Sequence, residues 1–507
     1  MNQRESFLKT TKVFGSPGTG KTTFLLNIVE QALENNVRSN FIGYFSFTRK
    51  AADEARDRAI KKFPYLHPKN DFPHFRTLHS LAFRCLNLRT ELIMQEENFH
   101  EFAAEAGITI TVVNEGDEIS RRADNPIMNE IHLARIKGRD LKQHYNESKL
   151  DIEWHHFEFV ERTYRHYKQS RNLVDFTDML ELVIQQPELL PELDLLIIDE
   201  AQDLSRLQWE LVKALVDRCG QAYLAGDDDQ AVFAWSGADV QAFLDFPGDV
   251  LVLNQSYRIP AKVHSLANNI VKRIKHRQPK TWSPRDYEGS IQTYSRFEDI
   301  AITSDDSWLV LAATNYMLNP VHEVFKANGI LFERSGVPSM PLNMLKAVSS
   351  WERLRRGQRV GFEEVKNIFR YMDTGMFNYK NRSFKTGNES ATYDLEELLK
   401  DHGLYDSPVW HEALLKIGEE YRIYLTAVLR RGTKLSSVSR IQLSTIHGAK
   451  GGEADHVVLL MDLGPKFTKA YKENPDDVQR MFYVAVTRAK KSLHLVLPKR
   501  ADQGFTL

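Results

Sequence analysis

The chain has 507 residues, of which 42% are hydrophobic and 27% are charged, so it is a globular protein too long for one hydrophobic core. Its 67 basic and 68 acidic side chains leave a net charge of −1, which excludes nucleic-acid binding through overall charge and leaves only local surfaces for it. Two cysteines, Cys85 and Cys219, lack metal-ligand spacing and exclude a disulfide scaffold; with no apolar run long enough for a membrane span, we expect a cytoplasmic protein without membrane contact.

Short apolar runs alternate with amphipathic stretches along the first part of the chain. Residues 12–14, the segment NFIGYFSF, Leu193–Asp199 and the segment AYLAGD are predicted strands, and helices are predicted between them. Because strands that alternate with helices form parallel sheets covered on both faces, we predict an α/β fold.

The same pattern returns later, with the segments DVLVLNQSYR, SIQTYS, SWLVLAAT, SRIQLSTIHGAKG, DHVVLLMDL and SLHLVLP. Two stretches lack a strand signal and are helical and charged, so each is predicted to be an insert in an α/β domain. The predicted domains are 1–87 with 174–250, a helical insert at 88–173, a second α/β domain at 251–344 with 435–507, and a short helical insert at 345–434.

The segment GSPGTGKT has the glycine spacing and the terminal Lys-Thr of a phosphate-binding loop, and it lies between a predicted strand and a predicted helix. Its glycines let backbone N–H groups point at phosphate oxygens, while Lys21 reaches the β- and γ-phosphates and Thr22 binds Mg²⁺. The alternative is an ordinary glycine-rich turn. The predicted phosphate-site residues are Gly15, Ser16, Pro17, Gly18, Thr19, Gly20, Lys21, Thr22 and Thr23.

Two further polar groups end predicted strands of the same sheet. Asp199 follows the run LLII and is suited to Mg²⁺, and its neighbour Glu200 is suited to polarising an attacking water. In the segment GDDDQAVFAWSGAD, three carboxylates and Gln230 follow the strand AYLAGD, which predicts that they lie beside the phosphates at the carboxyl edge of the sheet. Alone, an Asp-Glu pair at a strand end would be a solvated helix start.

Eight segments, taken together and in order, resemble the motifs of superfamily 1 helicases of the UvrD/Rep/PcrA type. The resemblance covers nearly the whole chain and implies two RecA-like P-loop domains, ATP and Mg²⁺ as cofactors, and 3′ to 5′ movement on single-stranded DNA with unwinding of duplex junctions. The segments are GSPGTGKT, FSFTRKAADEARDR, RTLHSLAFRCL, LLIIDEAQDLSRLQ, GDDDQAVFAWSGA, NQSYRIP, STIHGAKGGEADHVVL and FYVAVTRAKKSLHL.

Residue roles follow from that resemblance position by position. It implies that Arg258 and Arg488, contributed by the second α/β domain, contact the γ-phosphate, that Tyr257 stacks on adenine and that Glu453 contacts the ribose. It also implies a groove for single-stranded DNA, in which aromatic rings stack on bases. The implied DNA-binding residues are Phe47, Thr48, Arg49, Thr77, His79, Phe233, Trp235, Asn315 and His447.

The chain departs from the family pattern at Thr23, Ser236 and Gly452, and no segment of the second insert has the pattern of a strand-separating hairpin. A second hypothesis is therefore a translocase or protein-displacing remodeller with little unwinding of its own. An RNA substrate and a P-loop kinase or GTPase are the remaining alternatives. The resemblance further implies partners in replication, recombination or DNA repair.

Overall fold

The structure is a computed structural model that describes residues 9–46, 49–67, 71–114, 121–302, 306–378, 390–432 and 439–507. Contacts divide the chain into two units, the first Met1–Glu288 with Ala470–Thr487 and the second Gly289–Lys469 with Arg488–Leu507. The domain boundaries given above stay a prediction. No helix in the described residues combines the length and the apolar character needed to cross a bilayer.

The strands in chain order are β1 Thr10–Gly15, β2 Ile42–Ser46, β3 Phe75–Arg76, β4 Thr111–Asn114, β5 Arg121–Asp124, β6 Leu193–Asp199, β7 Cys219–Gly226, β8 Asp249–Leu253, β9 Ser290–Tyr294, β10 Trp308–Ala312, β11 Glu333–Arg334, β12 Val337–Pro338, β13 Val360–Gly361, β14 Thr392–Tyr393, β15 Ile441–Thr445, β16 Ala454–Leu460 and β17 Ala489–Val496.

The helices of the first unit up to residue 288 are α1 Lys21–Glu34, α2 Arg49–Lys62, α3 Leu78–Cys85, α4 Glu96–Ala106, α5 Pro126–Ile136, α6 Leu141–Glu147, α7 Trp154–Ser170, α8 Phe176–Gln185, α9 Arg206–Asp217, α10 Val240–Asp245 and α11 Ala261–Val271. The later helices are α12 Asn319–Ala327, α13 Leu342–Arg355, α14 Phe362–Tyr371, α15 Leu395–Lys400, α16 Trp410–Ala413, α17 Glu419–Arg430, α18 Gly464–Glu473 and α19 Pro475–Val486.

The first unit is built on a six-stranded sheet in the order β3-β2-β6-β7-β1-β8, in which every pair is parallel. Alternate residues of β6 enter two separate cores: Leu196 and Ile198 pack in one, Leu195 and Ile197 in the other. A strand buried on both faces needs helices on both sides of the sheet. The predicted α/β class with parallel sheets is confirmed.

Strand β8 differs from the expectation. The sequence grouped DVLVL with the second α/β half, but β8 pairs with β1 in register from Thr11 and Asp249 to Gly15 and Leu253. Local hydrophobicity identifies a strand but not its partner, because pairing is decided by tertiary packing.

The second unit has a seven-stranded sheet in the order β12-β11-β15-β10-β16-β17-β9. Its pairs are parallel except β11 with β12. One face packs Trp308, Val310, Leu443 and Val458 into a core with Phe325. This unit therefore repeats the parallel architecture of the first.

The predicted inserts are mostly helical, as expected, with small β elements that the sequence did not indicate. Helices α4 to α7 surround Phe99, Phe102, Phe157 and Tyr167, and an antiparallel pair, β4 with β5, lies in the same stretch. In the second insert, helices pack around Trp351, and β13 pairs with β14 over two residues each.

A buried ion network joins the first insert to α8. Arg135 contacts Asp175 at 2.8 Å and Asp178 at 2.6 Å, and Lys168 contacts both carboxylates at 2.5 Å. The hydroxyl of Tyr164 donates to Asp175 at 3.0 Å. Burial raises the pKa of Asp175, whereas the positive charges of Arg135 and then Lys168 lower it. The net effect is a pKa well below the usual value for an aspartate.

Candidate functional site

The phosphate loop joins the end of β1 to the start of α1. Gly18 and Gly20 have φ angles of 74° and 78°, a conformation that residues with side chains rarely adopt. A Cβ atom at Gly15 would lie 2.5 Å from Cγ of Lys21, so the strand has to end on a glycine. The Thr19 hydroxyl donates to the carbonyl oxygen of Ser16 at 2.8 Å. The loop therefore curls before the N-terminus of α1, where backbone N–H groups attract anions.

Three predicted side chains lie in the first turn of α1. Lys21 Nζ donates to the carbonyl oxygen of Gly15 at 2.8 Å, which folds its side chain back over the loop. Thr22 is half-buried and Thr23 is exposed. The ammonium group and the helix N-terminus thus place positive charge on the same side of the loop.

Asp199 and Glu200 lie at the carboxyl end of β6. Asp199 accepts two hydrogen bonds, from Glu200 N–H at 2.9 Å and from the Tyr44 hydroxyl at 2.7 Å. Burial and then the negative charge of Glu200 raise the pKa of Asp199 to about 6. Burial and then Asp199 raise the pKa of Tyr44 well above its usual value, so this phenol stays a donor. Burial and the charge of Glu200 raise the free energy of the ionised form of Asp199, and a bound cation would offset this increase.

The residues at this edge fit a hydrated Mg²⁺ ion. Thr22 and Asp199 supply oxygen atoms, the ligands that Mg²⁺ prefers, and Mg²⁺ usually keeps several waters. Ser46 pairs with Asp199 across β2 and β6, and its buried hydroxyl oxygen has no hydrogen-bond partner among the residues that the structure describes. Such a hydroxyl suits a water of the ion's hydration shell.

A chain of hydrogen bonds runs from Glu200 to Gln230. Gln202 Nε2 donates to Glu200 Oε2 at 2.6 Å, and Gln202 Oε1 accepts from Asp227 N–H at 3.0 Å. Gln230 Nε2 then donates to Asp227 Oδ2 at 2.7 Å. A Cβ atom at Gly226 would lie 2.4 Å from Gln202 Oε1, so only glycine leaves room for this amide.

The three carboxylates after β7 are bound by cations, which corrects the expectation that they face the nucleotide. Lys280 Nζ lies 3.1 Å from Asp227, 2.5 Å from Asp228 and 2.7 Å from Asp229, and its side chain is fully buried. Arg277 donates two bonds of 2.7 Å to Asp229. We call these five residues the aspartate–lysine cluster.

This cluster has the spacing of a metal site, since one oxygen of each carboxylate lies within 4.8 Å of the others. The Lys280 ammonium already occupies the position of the ion. Burial alone would lower the pKa of Lys280, but the three carboxylates more than offset burial and raise it. Lys280 therefore stays charged and excludes a metal cation.

The segment after β8 lies against the phosphate loop. The Ser256 hydroxyl donates to the carbonyl oxygen of Pro17 at 2.7 Å, and Tyr257 N–H donates to that of Gly18 at 2.8 Å. A Cβ atom at Gly18 would lie 2.3 Å from Cβ of Arg258. Arg258 was expected from the second α/β domain, but it belongs to the first unit, beside the loop. The Tyr257 ring is 73% exposed.

Four predicted residues lie in the second unit. Arg488 is buried and donates from Nη1 to the carbonyl oxygen of Gly452 at 3.1 Å. Glu453 forms an ion pair of 2.5 Å with Lys490. Asn315 accepts a bond of 2.6 Å from Arg334 through its backbone oxygen. The His447 ring stacks on Phe467 with centroids 6.0 Å apart. Their roles toward a ligand stay predictions.

The aromatic pair of the segment GDDDQAVFAWSGAD lies a few residues beyond Gln230. The Phe233 and Trp235 rings meet edge to face with centroids 6.5 Å apart. Trp235 is 64% exposed, while Phe233 is half-buried. Trp235 is thus too exposed for a core-packing role, and its stacking on a base stays a prediction.

A cavity of about 630 Å³ lies between α2, α3 and α8. His79 and Phe176, whose ring centroids are 5.4 Å apart, line it, together with Arg76 and Arg84. Thr77 also borders the cavity, but its buried side chain caps α3 by accepting from Ser80 N–H at 3.2 Å. Phe47 and Thr48 lie outside the described residues, as does the side chain of Arg49.

Lys280 and Tyr44 are two of the site residues that the sequence did not identify. Lys280 has no local signal, because its partners lie about fifty positions earlier in the chain. Tyr44 carries a hydroxyl in the middle of an apolar strand, and that oddity is the signal that could have identified it.

Replacing Lys280 by Met should destabilise the first unit by about 3–5 kcal/mol, because the buried carboxylates of Asp227 and Asp228 lose their counter-charge while Asp229 keeps only Arg277. Urea unfolding followed by tryptophan fluorescence measures the loss. The matched control Lys262→Met removes an exposed pair with Glu288 and should cost about 0–1 kcal/mol.

The pH dependence gives a second check on Lys280→Met. Burial already raises the pKa of Asp228, and loss of the ammonium would raise that pKa further, so the free energy of unfolding should fall as the pH rises through it and recover in acid. If Lys280→Met and Lys262→Met lowered the free energy of unfolding equally, or if the effect of Lys280→Met did not depend on pH, the role of Lys280 would be contradicted.

Comparisons with known proteins agree with the motifs. Residues 2–250 match the UvrD/REP helicase N-terminal domain, and residues 411–500 match the UvrD-like helicase C-terminal domain. The chain is 28% identical over 303 residues to the ATP-dependent DNA helicase PcrA of Staphylococcus aureus, a match to 55% of this chain and 41% of the relative. It is 28% identical over 318 residues to the protein of the same name from Staphylococcus epidermidis, covering 58% and 43%. The chain thus matches less than half the length of either relative. It belongs to the UvrD/REP helicase family.

Proposed function

We propose that this chain is an ATP-driven motor that moves 3′ to 5′ on single-stranded DNA and unwinds duplex at junctions. The observation that carries the proposal is the polar chain Glu200–Gln202–Asp227–Gln230, which ends three residues before the aromatic pair. Hydrogen bonds therefore connect Glu200 at the phosphate site to Gln230, and the backbone connects Gln230 to Phe233 and Trp235, the proposed base-stacking residues.

The residues around the phosphate loop have separate tasks in hydrolysis. Lys21 and the loop N–H groups hold the β- and γ-phosphates, and Arg258 beside Gly18 places a guanidinium near them. Glu200 accepts a proton from the attacking water, oriented by its bond from Gln202 Nε2 at 2.6 Å. Mg²⁺, when bound by Thr22 and Asp199, neutralises charge on the β- and γ-phosphate oxygens.

Gln230 connects hydrolysis to DNA. Its side chain is held by Asp227, which also bonds Gln202 and Lys280, so the turn moves as one body. A shift of Gln230 toward the γ-phosphate would then carry Phe233 and Trp235 with it. Each stacked base contributes about 1–3 kcal/mol, enough for nucleotide state to change the grip on the strand.

The finer roles stay proposals that the family resemblance supports. They are the contact of Arg488 with the γ-phosphate, that of Glu453 with the ribose, stacking of Tyr257 on adenine, and DNA contacts of Asn315 and His447. Partners in replication, recombination or repair, and DNA in preference to RNA, are proposed on the same basis.

A translocase or protein-displacing remodeller with little unwinding is the second candidate. One observation favours it: in the described part of 345–434, β structure consists of β13, β14 and an isolated bridge between Phe377 and Leu404, and none of these forms a long hairpin that could act as a wedge. The residues around the ATP site would act identically in both candidates.

Two alanine variants should separate ATP chemistry from DNA binding. Lys21→Ala should abolish DNA-stimulated ATP hydrolysis and leave single-strand affinity unchanged, because it removes only a phosphate contact. Trp235→Ala should weaken single-strand binding by about 5- to 150-fold and leave hydrolysis without DNA intact. Phosphate release and fluorescence anisotropy with a labelled oligonucleotide measure the two properties.

The control for the tryptophan is Tyr405→Ala, since Tyr405 is 63% exposed but lies outside all eight motifs. The affinity of the Tyr405→Ala variant for the oligonucleotide should equal that of the unaltered protein. Hydrolysis that survives in Lys21→Ala would refute the phosphate assignment, and unchanged DNA affinity in Trp235→Ala would refute the stacking assignment.

Hydrolysis at limiting Mg²⁺ should fall as the pH drops through about 6, because Asp199 must be ionised to bind the ion. Protons and Mg²⁺ compete for this carboxylate, so raising the Mg²⁺ concentration should move the midpoint to lower pH. The assay holds the concentration of the Mg–ATP complex constant at each pH, so that protonation of ATP does not contribute. A pH midpoint that stays the same at all Mg²⁺ concentrations would contradict the role of Asp199.

A forked duplex with a 3′ single-stranded arm distinguishes the two candidates. We expect ATP-dependent release of the labelled strand, and the same fork with a 5′ arm is the control for direction. Hydrolysis with displacement of streptavidin from a biotinylated single strand, but without strand release, would instead establish the translocase.

A further inference from the structure

Tyr44 is a buried phenol in the centre of the first sheet. It lies on β2, is inaccessible to solvent, and stacks on Phe75 with ring centroids 5.2 Å apart. The parallel register pairs Tyr44 with Ile197 and Ser46 with Asp199. Tyr44 and Asp199 are therefore on the same face of the sheet, and the long phenol spans the two-residue offset between them.

The Tyr44 hydroxyl donates to Oδ2 of Asp199 at 2.7 Å, while Oδ1 accepts from Glu200 N–H at 2.9 Å. Each carboxylate oxygen thus has one fixed donor. Because a carboxylate oxygen has two lone pairs, one on each oxygen remains for water or a cation. The two bonds together fix the rotation of the carboxylate and the direction of the remaining lone pairs.

Packing alone does not account for the hydroxyl. The ring already fills the core between Phe75 and β6, and phenylalanine would fill the same space without a buried polar atom. Burying a hydroxyl is unfavourable unless it forms a hydrogen bond, and here the bond is to the predicted Mg²⁺ ligand. The ring of Tyr44 fills the core, and its hydroxyl is accounted for by the hydrogen bond to Asp199.

We propose that Tyr44 is a positioning residue that orients Asp199 for Mg²⁺ and so sets the metal affinity of the ATP site. The inference rests on the proposed function, because it takes Asp199 as the carboxylate that holds the ion. Donors behind a ligating carboxylate typically change metal affinity by about 10- to 100-fold when removed.

The test is Tyr44→Phe in the full chain. Binding of a non-hydrolysable fluorescent ATP analogue is titrated with Mg²⁺, and direct binding of Mn²⁺ is followed by electron paramagnetic resonance. We expect the half-saturating Mg²⁺ concentration to rise by about tenfold. Metal-free analogue binding and single-strand affinity should stay unchanged, because neither uses Asp199.

Tyr164→Phe is the matched control. Tyr164 is also buried and its hydroxyl also donates to a buried aspartate, Asp175, at 3.0 Å, but it lies in the helical insert. Both variants should lower the thermal midpoint by a similar few degrees. Only Tyr44→Phe should change the Mg²⁺ dependence, which a purely structural role would leave unaltered.

Asp199→Asn separates failure of this inference from failure of the proposed function. If Asp199→Asn weakens Mg²⁺ binding but Tyr44→Phe does not, the positioning role is overturned and the ATP site stands. If Asp199→Asn has no effect, the metal assignment itself is wrong. If Tyr44→Phe weakens metal-free and Mg²⁺-dependent binding equally, Tyr44 supports the fold only and the inference is overturned.

Discussion

The ammonium of Lys280, buried among three aspartates, is the interaction on which the arrangement of the site depends. Its contacts of 2.5–3.1 Å hold residues 227–229 in a turn that repulsion between adjacent carboxylates would otherwise open. The turn carries Gln230 at one end and continues to Phe233 and Trp235. Helix α19 is tied to it as well, because Arg480 donates to the carbonyl oxygen of Asp228 at 3.0 Å. A buried charge cluster is costly to assemble, but it allows few alternative geometries once every member is paired. The proposed coupling of the γ-phosphate to the aromatic pair depends on this rigidity.

The parallel sheet brings the rest of the site together. Strands β1, β6 and β7 are neighbours in that sheet, so the phosphate loop, Asp199 and Gln230, which follow their carboxyl ends, meet at one edge. Residues almost two hundred positions apart in the chain become adjacent without any loop having to cross the sheet. Strand β8 extends the sheet beyond β1 and delivers Ser256 and Tyr257 to the same loop through bonds of 2.7 and 2.8 Å.

The sequence predicted those parts of the site that depend on local chemistry. The glycines of the phosphate loop, the apolar run before Asp199 and the exposed Trp235 are each recognisable within ten residues, and the parallel α/β class follows from the alternation of strands and helices. What sequence reasoning missed depends on partners far away in the chain. Lys280 neutralises carboxylates about fifty residues earlier, and β8 joined the first sheet because a strand's partner is decided by packing and not by its own pattern. The hydroxyl of Thr77 caps α3 by accepting from Ser80 N–H, and its expected contact with DNA stays a prediction.

Two sets of carboxylates at one sheet edge are handled in opposite ways, and the contrast indicates which of them can serve a metal. Asp227, Asp228 and Asp229 are paired with permanent cations and have no capacity left for an ion. Asp199 is bonded to a phenol and a backbone N–H, and in the described residues no lysine or arginine lies within ion-pair distance of it. Neutral donors orient a carboxylate without cancelling its charge. Burial therefore raises the free energy of the ionised carboxylate, and a bound cation would lower it again. Under the proposed function, a site built in this way would bind Mg²⁺ with the nucleotide and release it with the product, whereas an ammonium group at Asp199 would have to be displaced at every turnover.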